Sequence, residues 1–374
     1  MKFVVSCNLL LSHLQTVGRV IASKNPIPIL DCFLFELKEN QLTITAADSE
    51  TRMVTNIEVN DVIGEGTYAI PSKSLLDSLK ELPEQPITFQ INDTSSEVVI
   101  TYENGRYNFI AQRGEEYPLA KPLSEDAAKL TMPTVDLLTG ISHTLFASGD
   151  DELRPVMNGV FFDITEENLT FVASDGHKLV RFKNFAVKGN DRAAFILPKK
   201  PANLLKAILP KEDGDVNIAF DSNNAYITME RFSIVCRLVE GRYPNYNGVI
   251  PKENPFKVTI DRIQFLNALK RVSVFSVLGN SLVKLTISES SIFITAQDID
   301  FSTSAEETIS CTYDGEPMSI GFKSTYLIEI LSNLPTDEVV MELADSSRAG
   351  LILPIENAED EDILMLLMPM MIND

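Results

Sequence analysis

Apolar and polar residues alternate along three short segments that each end in Ala-x-Asp. They are Leu42-Thr43-Ile44-Thr45-Ala46-Ala47-Asp48, Leu169-Thr170-Phe171-Val172-Ala173-Ser174-Asp175 and Ile292-Phe293-Ile294-Thr295-Ala296-Gln297-Asp298. A period of two predicts a half-buried strand in each. The near-even spacing of Asp48, Asp175 and Asp298 is the mark of an internal repeat. A second pattern keeps the same spacing. Leu10, Leu11, Leu14 and Val17 predict an amphipathic helix, as do Leu137, Leu138, Ile141 and Leu145, and then Phe265, Leu266, Leu269 and Val272. A third set predicts a second helix that stops before proline: Leu75, Leu76 and Leu79 before Pro83, Leu204, Leu205 and Ile208 before Pro210, and Tyr326, Leu327 and Ile330 before Pro335. Each of these helices follows a strand-like segment and a lysine: Lys73, Lys199 with Lys200, and Lys323.

Three signals in one order predict one unit used three times. Each unit carries two helices and several short alternating strands, so the fold class is α+β with antiparallel sheets. The Pro-, Glu- and Lys-rich segments 121–129 and 251–255 separate domains at 1–124, 129–251 and 256–374.

Composition narrows the function. The hydrophobic content of 44% is ordinary for a globular chain, and no apolar run is long enough to span a membrane. Asn8, Ser12 and His13 interrupt the only signal-peptide-like stretch, so a cytoplasmic location is expected. Cys7, Cys32, Cys236 and Cys311 are too dispersed for a disulfide framework or a zinc site, and are expected to be buried thiols. The net charge of −21 argues against a chain that grips nucleic acid over its whole surface, but leaves room for one basic face.

Catalytic and cofactor signatures are scarce. The chain has no phosphate-binding loop, dinucleotide fingerprint or nucleophile elbow, so neither a cofactor nor a metal is expected. Asp175-Gly176-His177 could pair an acid with a base, but Asp and Gly after a strand more often make a turn. The lysines on the second-type helices are either ordinary solvated faces or a basic surface meeting a phosphate backbone. The C-terminus packs five acidic residues into 356–362, then runs Ile363-Leu364-Met365-Leu366-Leu367-Met368-Pro369-Met370-Met371-Ile372. That run is either a final core strand or, with its adaptable methionines, part of a groove for short apolar peptides.

Over essentially its whole length the chain resembles the β subunit of bacterial DNA polymerase III, the replication sliding clamp. The resemblance rests on Pro28-Ile29-Leu30, Asp175-Gly176-His177-Lys178-Leu179, the segment Leu238-Val239-Glu240-Gly241-Arg242-Tyr243-Pro244-Asn245-Tyr246, Ile320-Gly321-Phe322 and Met368-Pro369-Met370. It implies a non-catalytic processivity factor, a head-to-tail homodimer whose six similar domains close a ring around double-stranded DNA. Such a ring would bind DNA without reading its sequence, with helices lining the hole. Partners would be the replicative polymerase, a clamp loader (nothing here binds ATP) and other proteins carrying short clamp-binding peptides.

Carried over position by position, the peptide groove would use Met157, Ser174, Gly176, His177, Lys178, Leu179, Pro244 and Val249, with Tyr326, Ser347, Ala349, Leu367, Met368, Pro369 and Met370. DNA would face Lys24, Lys73, Arg154, Lys199, Lys200 and Lys206. The dimer seam would set Tyr107 and Phe109 against Val274 and Phe275. Gly248 stands where some members carry an arginine, Val156 where some carry a gating tyrosine, and four residues follow Met370. The competing readings are an enzyme built on Asp175 and His177, and an acidic mimic of DNA that would form no ring.

Overall fold

The computed structural model describes residues 1–277, 279–298 and 300–372. Six α-helices lie among the described residues: α1 (Cys7–Val17), α2 (Ser72–Lys80), α3 (Thr134–Thr144), α4 (Lys199–Ile208), α5 (Arg262–Ser273) and α6 (Ser324–Asn333). Each predicted helix is present, and the strand ending before α2, α4 and α6 is where the sequence placed it. Side chains cap two of the opening helices. The Ser6 hydroxyl accepts from Leu9 N–H at 3.2 Å and the Asp261 carboxylate from Gln264 N–H at 2.7 Å.

The buried stripe of α1 is Cys7, Leu10, His13, Leu14 and Val17. Leu11 was expected there but is half-buried, as are Leu76 and Leu138. A residue one position on lies about 100° around the helix, whereas i+3 and i+4 return to the same face, which is why His13 takes the place.

The described residues form two compact units. One comprises Met1–Leu137 with Asn203–Leu238, the other Leu138–Ala202 with Val239–Asp374. Packing therefore does not stop at the repeat boundaries, because sheets run through them. In the first unit a five-stranded sheet ends at Gly105–Ile110, and a nine-stranded sheet continues from Thr51–Glu58 of the first repeat into Phe232–Arg237 of the second. In the second unit a nine-stranded sheet continues from Lys178–Asn184 of the second repeat into Glu361–Leu367 of the third, and a four-stranded sheet ends at Thr303–Ser310. All pairings are antiparallel. A strand buried on one face and hydrogen-bonded on both edges leaves no seam at which the repeats could separate.

Aromatic side chains fill the cores. Phe3 stacks on Phe89 at 4.9 Å in the first unit, and Phe162 meets Phe171 at 4.7 Å in the second. Full burial of each is worth about 1.5–3 kcal/mol. Cys7, Cys32 and Cys236 are buried as expected, while Cys311, near the end of an edge strand, is only half-buried.

The repeated aspartate has one structural use in all three copies. Asp48 Oδ1 accepts the N–H groups of Glu50 (2.8 Å) and Thr51 (2.6 Å), Asp175 Oδ1 those of His177 (2.8 Å) and Lys178 (2.9 Å), and Asp298 Oδ1 those of Asp300 (3.1 Å) and Phe301 (3.3 Å). Each closes an Asx-type turn at a strand end.

Candidate functional site

The turn at Asp175 stands at the centre of the expected groove residues. Gly176 has φ +91, a left-handed backbone that favours glycine, and the Arg154 guanidinium lies over it, with Nη1 2.5 Å from where a Cβ would stand. Half-burial pushes the Asp175 pKa up, but the two backbone N–H groups and the Lys178 ammonium outweigh it and hold the carboxyl below its usual range. The carboxylate engages the His177 backbone and Lys178, and the His177 ring instead lies 6.1 Å from the Tyr326 ring. An acid–base pair would need the carboxylate on the imidazole. The geometry is that of a turn.

An apolar floor spreads beside this turn. Leu179, Tyr243, Tyr246, Ala349, Leu364 and Leu366 pack together, with Val156 and Ile250 at the margin. Pro244 and Val249 stand exposed along it, Val249 by 59%. Tyr246 is fixed by donating to Asp163 Oδ2 at 2.9 Å, and Gly241 (φ +121) packs against Val156, whose Cγ1 would lie 2.8 Å from a Cβ. Leu179 pairs across the sheet with Ser174 on one side and Leu366 on the other, so these three share a face. Met157 ends a short 3-10 turn whose carbonyl accepts Gly149 N–H at 2.8 Å. Ser347 is in an exposed turn, donating to Asp345 at 2.6 Å.

Two expected groove residues, Leu367 and its cross-strand partner Lys178, turn away from that floor. Leu367 pairs with Lys178, not Leu179, is fully buried, and therefore points to the opposite face. Its neighbour Leu366 occupies the floor. A one-residue step reverses the face of a strand residue, and the unbroken apolar run 363–367 carries no alternation that could have told the two leucines apart.

The tail forms one wall. Met368 N–H donates to the His177 carbonyl at 2.9 Å, and Met370 N–H to the Gly321 carbonyl at 2.8 Å. A Cβ on Gly321 would lie 2.7 Å from Ile372 Cγ2 and 2.8 Å from the Met370 oxygen, so the tail crosses where the side chain is missing. Met368 is 43% exposed. The end of the sequence, Asn373 and Asp374, lies outside the described residues.

The six expected DNA-facing cations divide. Lys24, Lys73 and Lys206 are exposed, and Lys200 is half-buried. Lys199 is paired with Asp150 at 2.7 Å. Arg154 is paired too, and half-exposed. Its Nε binds Asp151 at 2.8 Å and its Nη2 the Asp175 carbonyl at 3.3 Å, which places the guanidinium over the turn.

Of the expected seam residues, Tyr107 and Phe109 lie on an edge strand, and Val274 and Phe275 in the turn after α5. Gly105–Ile110 pairs only with Glu97–Tyr102, and carries half-buried Tyr107 and Phe109 beside Ile110, which is 67% exposed. Among the described residues, Thr303–Ser310 pairs only with Ser291–Asp298. Arg271 on α5 binds its Glu307, and Val274 and Phe275 follow α5 exposed.

Three family descriptions match in series: DNA polymerase III beta subunit N-terminal domain over residues 1–121, central domain over 131–245 and C-terminal domain over 247–371. A beta sliding clamp of Haemophilus influenzae is 29% identical over 381 residues, spanning 99% of this chain and 100% of the relative. One of Pseudomonas aeruginosa is 26% identical over 371 residues, with the same coverage. Crystal structures of the sliding clamps of Pseudomonas aeruginosa and Bartonella birtlesii, each bound to griselimycin, superpose with TM-scores of 0.94 at 26% and 28% identity over the full length of both chains. Fold and relatives define a DNA sliding clamp. The chain belongs to the DNA polymerase III beta subunit family, whose role is non-catalytic: it serves the replicative polymerase as a processivity factor.

Proposed function

We propose that two copies of the chain join head to tail, close a ring around duplex DNA and tether the polymerase and other proteins through the groove beside Asp175. The observation that carries this reading is a pair of unpaired sheet edges on different sheets, Gly105–Ile110 and Thr303–Ser310. An open edge is a template for another strand, and two different edges meeting make a heterologous contact, which gives a ring where the rotation closes. Exposed Ile110, Val274 and Phe275 add apolar surface beside those edges.

The ring holds DNA topologically, so only modest phosphate contact is needed, from Lys24, Lys73, Arg154, Lys199, Lys200 and Lys206. That is compatible with a net charge of −21. The three domains are read as 1–124, 129–251 and 256–374. The groove takes short apolar peptides on the floor of Leu179, Ala349 and Leu366, between His177 and the tail. A cytoplasmic location follows from this role. No helix among the described residues is long and apolar enough to cross a membrane.

The test is retention. Protein loaded on nicked circular DNA should stay bound and should slide off after linearisation. Equal retention on both forms would sink the ring. Griselimycin, which the two clamp relatives bind, should bind here as well and should lose affinity when 368–374 are removed, with the dimer intact.

A further inference from the structure

The Asx turn recurs three times, but the residue three beyond the aspartate differs: Thr51, Lys178 and Phe301. Only the second copy buries an ammonium group. The Lys178 side chain is 5% exposed. Burying that charge alone would be strongly unfavourable. Its Nζ lies 3.2 Å from Asp175 Oδ2, 2.8 Å from Glu329 Oε2 and 4.1 Å from the centre of the Tyr326 ring. Burial pulls the lysine pKa down, but the hydrogen bond to Glu329 and the two carboxylate charges hold it above the ordinary lysine range. The group is therefore a permanent cation between two elements that belong to different repeats, the turn of the second and α6 of the third.

We propose that Lys178 is a positioning residue: it staples the Asp175 turn to α6, and so fixes the groove wall made by His177, Tyr326 and the tail without itself meeting a peptide. The proposal rests on the groove reading of this face. Three contacts carry it from the staple to the wall. The residue before Lys178 gives its carbonyl to Met368 N–H at 2.9 Å. The same residue sets its ring 6.1 Å from the Tyr326 ring, against which Lys178 lies. Lys323 reaches the same ring at 4.6 Å. If the staple opens, the His177 carbonyl shifts away from Met368, and the wall loses the hydrogen bond that anchors it.

Full-length protein carrying Lys178→Met, Glu329→Gln, or both is compared with wild type in two measurements. One is hydrogen exchange at the Met368 amide without ligand. The other is binding of a fluorescein-labelled synthetic hexapeptide bearing leucine and phenylalanine. Each single change should speed exchange at Met368 and weaken the hexapeptide by about five- to tenfold, and the double change should be no worse than the more severe single one, because both break one staple. A binding loss in Lys178→Met with Glu329→Gln unchanged would mean that the lysine touches the peptide directly, and would overturn the proposal. Unchanged Met368 exchange in both variants would overturn it whatever the peptide does. Faster exchange in both, with no hexapeptide binding by wild type, would uphold the staple and overturn the groove reading.

Discussion

His13 Nδ1 lies 2.7 Å from the Thr55 hydroxyl, and that hydroxyl donates onward to the Arg231 carbonyl at 2.9 Å. The hydroxyl hydrogen is thus committed to Arg231, so the imidazole Nδ1–H donates to the hydroxyl. Thr55 also faces Phe232 across the strand pair that joins the first repeat to the second, and the His13 ring packs 5.3 Å from Phe232.

This contact predicts a pH dependence. Burial, and then the Arg231 guanidinium, lower the His13 pKa below its ordinary value of 6.5. A group whose folded pKa is depressed in this sense is neutral in the fold and takes a proton more readily when unfolded. Its stabilising contribution is full above pH 6.5 and is lost as the pH falls below it. Calorimetric Tm of wild type should drop relative to His13→Gln by a few degrees between neutral pH and pH 5. Parallel Tm curves for the two proteins would refute it.

The neighbouring ion pair should matter for stability. The Glu212 side chain is fully buried and accepts from Arg231 Nε at 2.9 Å and from its backbone N–H at 3.1 Å. Arg231→Ala leaves that carboxylate without its cation. The arginine is half-exposed, so the loss should be about 2 kcal/mol, below the range for fully buried pairs. Urea unfolding measures it.

Adjacent leucines should behave differently. Leu366→Ala should weaken peptide binding, because it removes floor beside Leu179. Leu367→Ala should leave peptide contacts in place and cost about 2–5 kcal/mol of stability, as a fully buried leucine does. Leu366 is buried too and its loss also costs stability, so peptide titration is the measurement that separates the two faces.

Gly321→Val should unseat the tail without unfolding the sheet, since valine suits a strand but its Cβ would meet Ile372 and the Met370 carbonyl. Carboxypeptidase should then remove the last residues several times faster, with Tm little changed. Equal digestion rates would show that the tail does not rest on Gly321.

At the seam, Ile110→Glu or Phe275→Asp should shift the protein from dimer to monomer in sedimentation, because each places a charge on an exposed apolar position beside an open sheet edge. A dimer that persists in both variants would move the seam elsewhere.

Local patterns were enough for much of this. The period of two found the strands before Asp48, Asp175 and Asp298, the helical period found six helices, and turn chemistry correctly outweighed an acid–base reading of Asp175 and His177. These signals involve residues a few positions apart, and hydrogen bonds within a helix or a turn make them self-sufficient. Other features depend on partners far away in the chain. Whether Leu366 or Leu367 faces the floor was decided by its register against Lys178–Asn184, and Arg154 is held over the turn by Asp151 and the Asp175 carbonyl. The burial of His13 came from Thr55 and Phe232, and the division into two units cutting through the second repeat came from sheets that cross the repeat boundaries. The sequence by itself determined that one unit is used three times. Only the tertiary structure decided which copies share a sheet and which side chains that sharing turns toward the groove, because strand pairing is chosen between segments that nothing local connects.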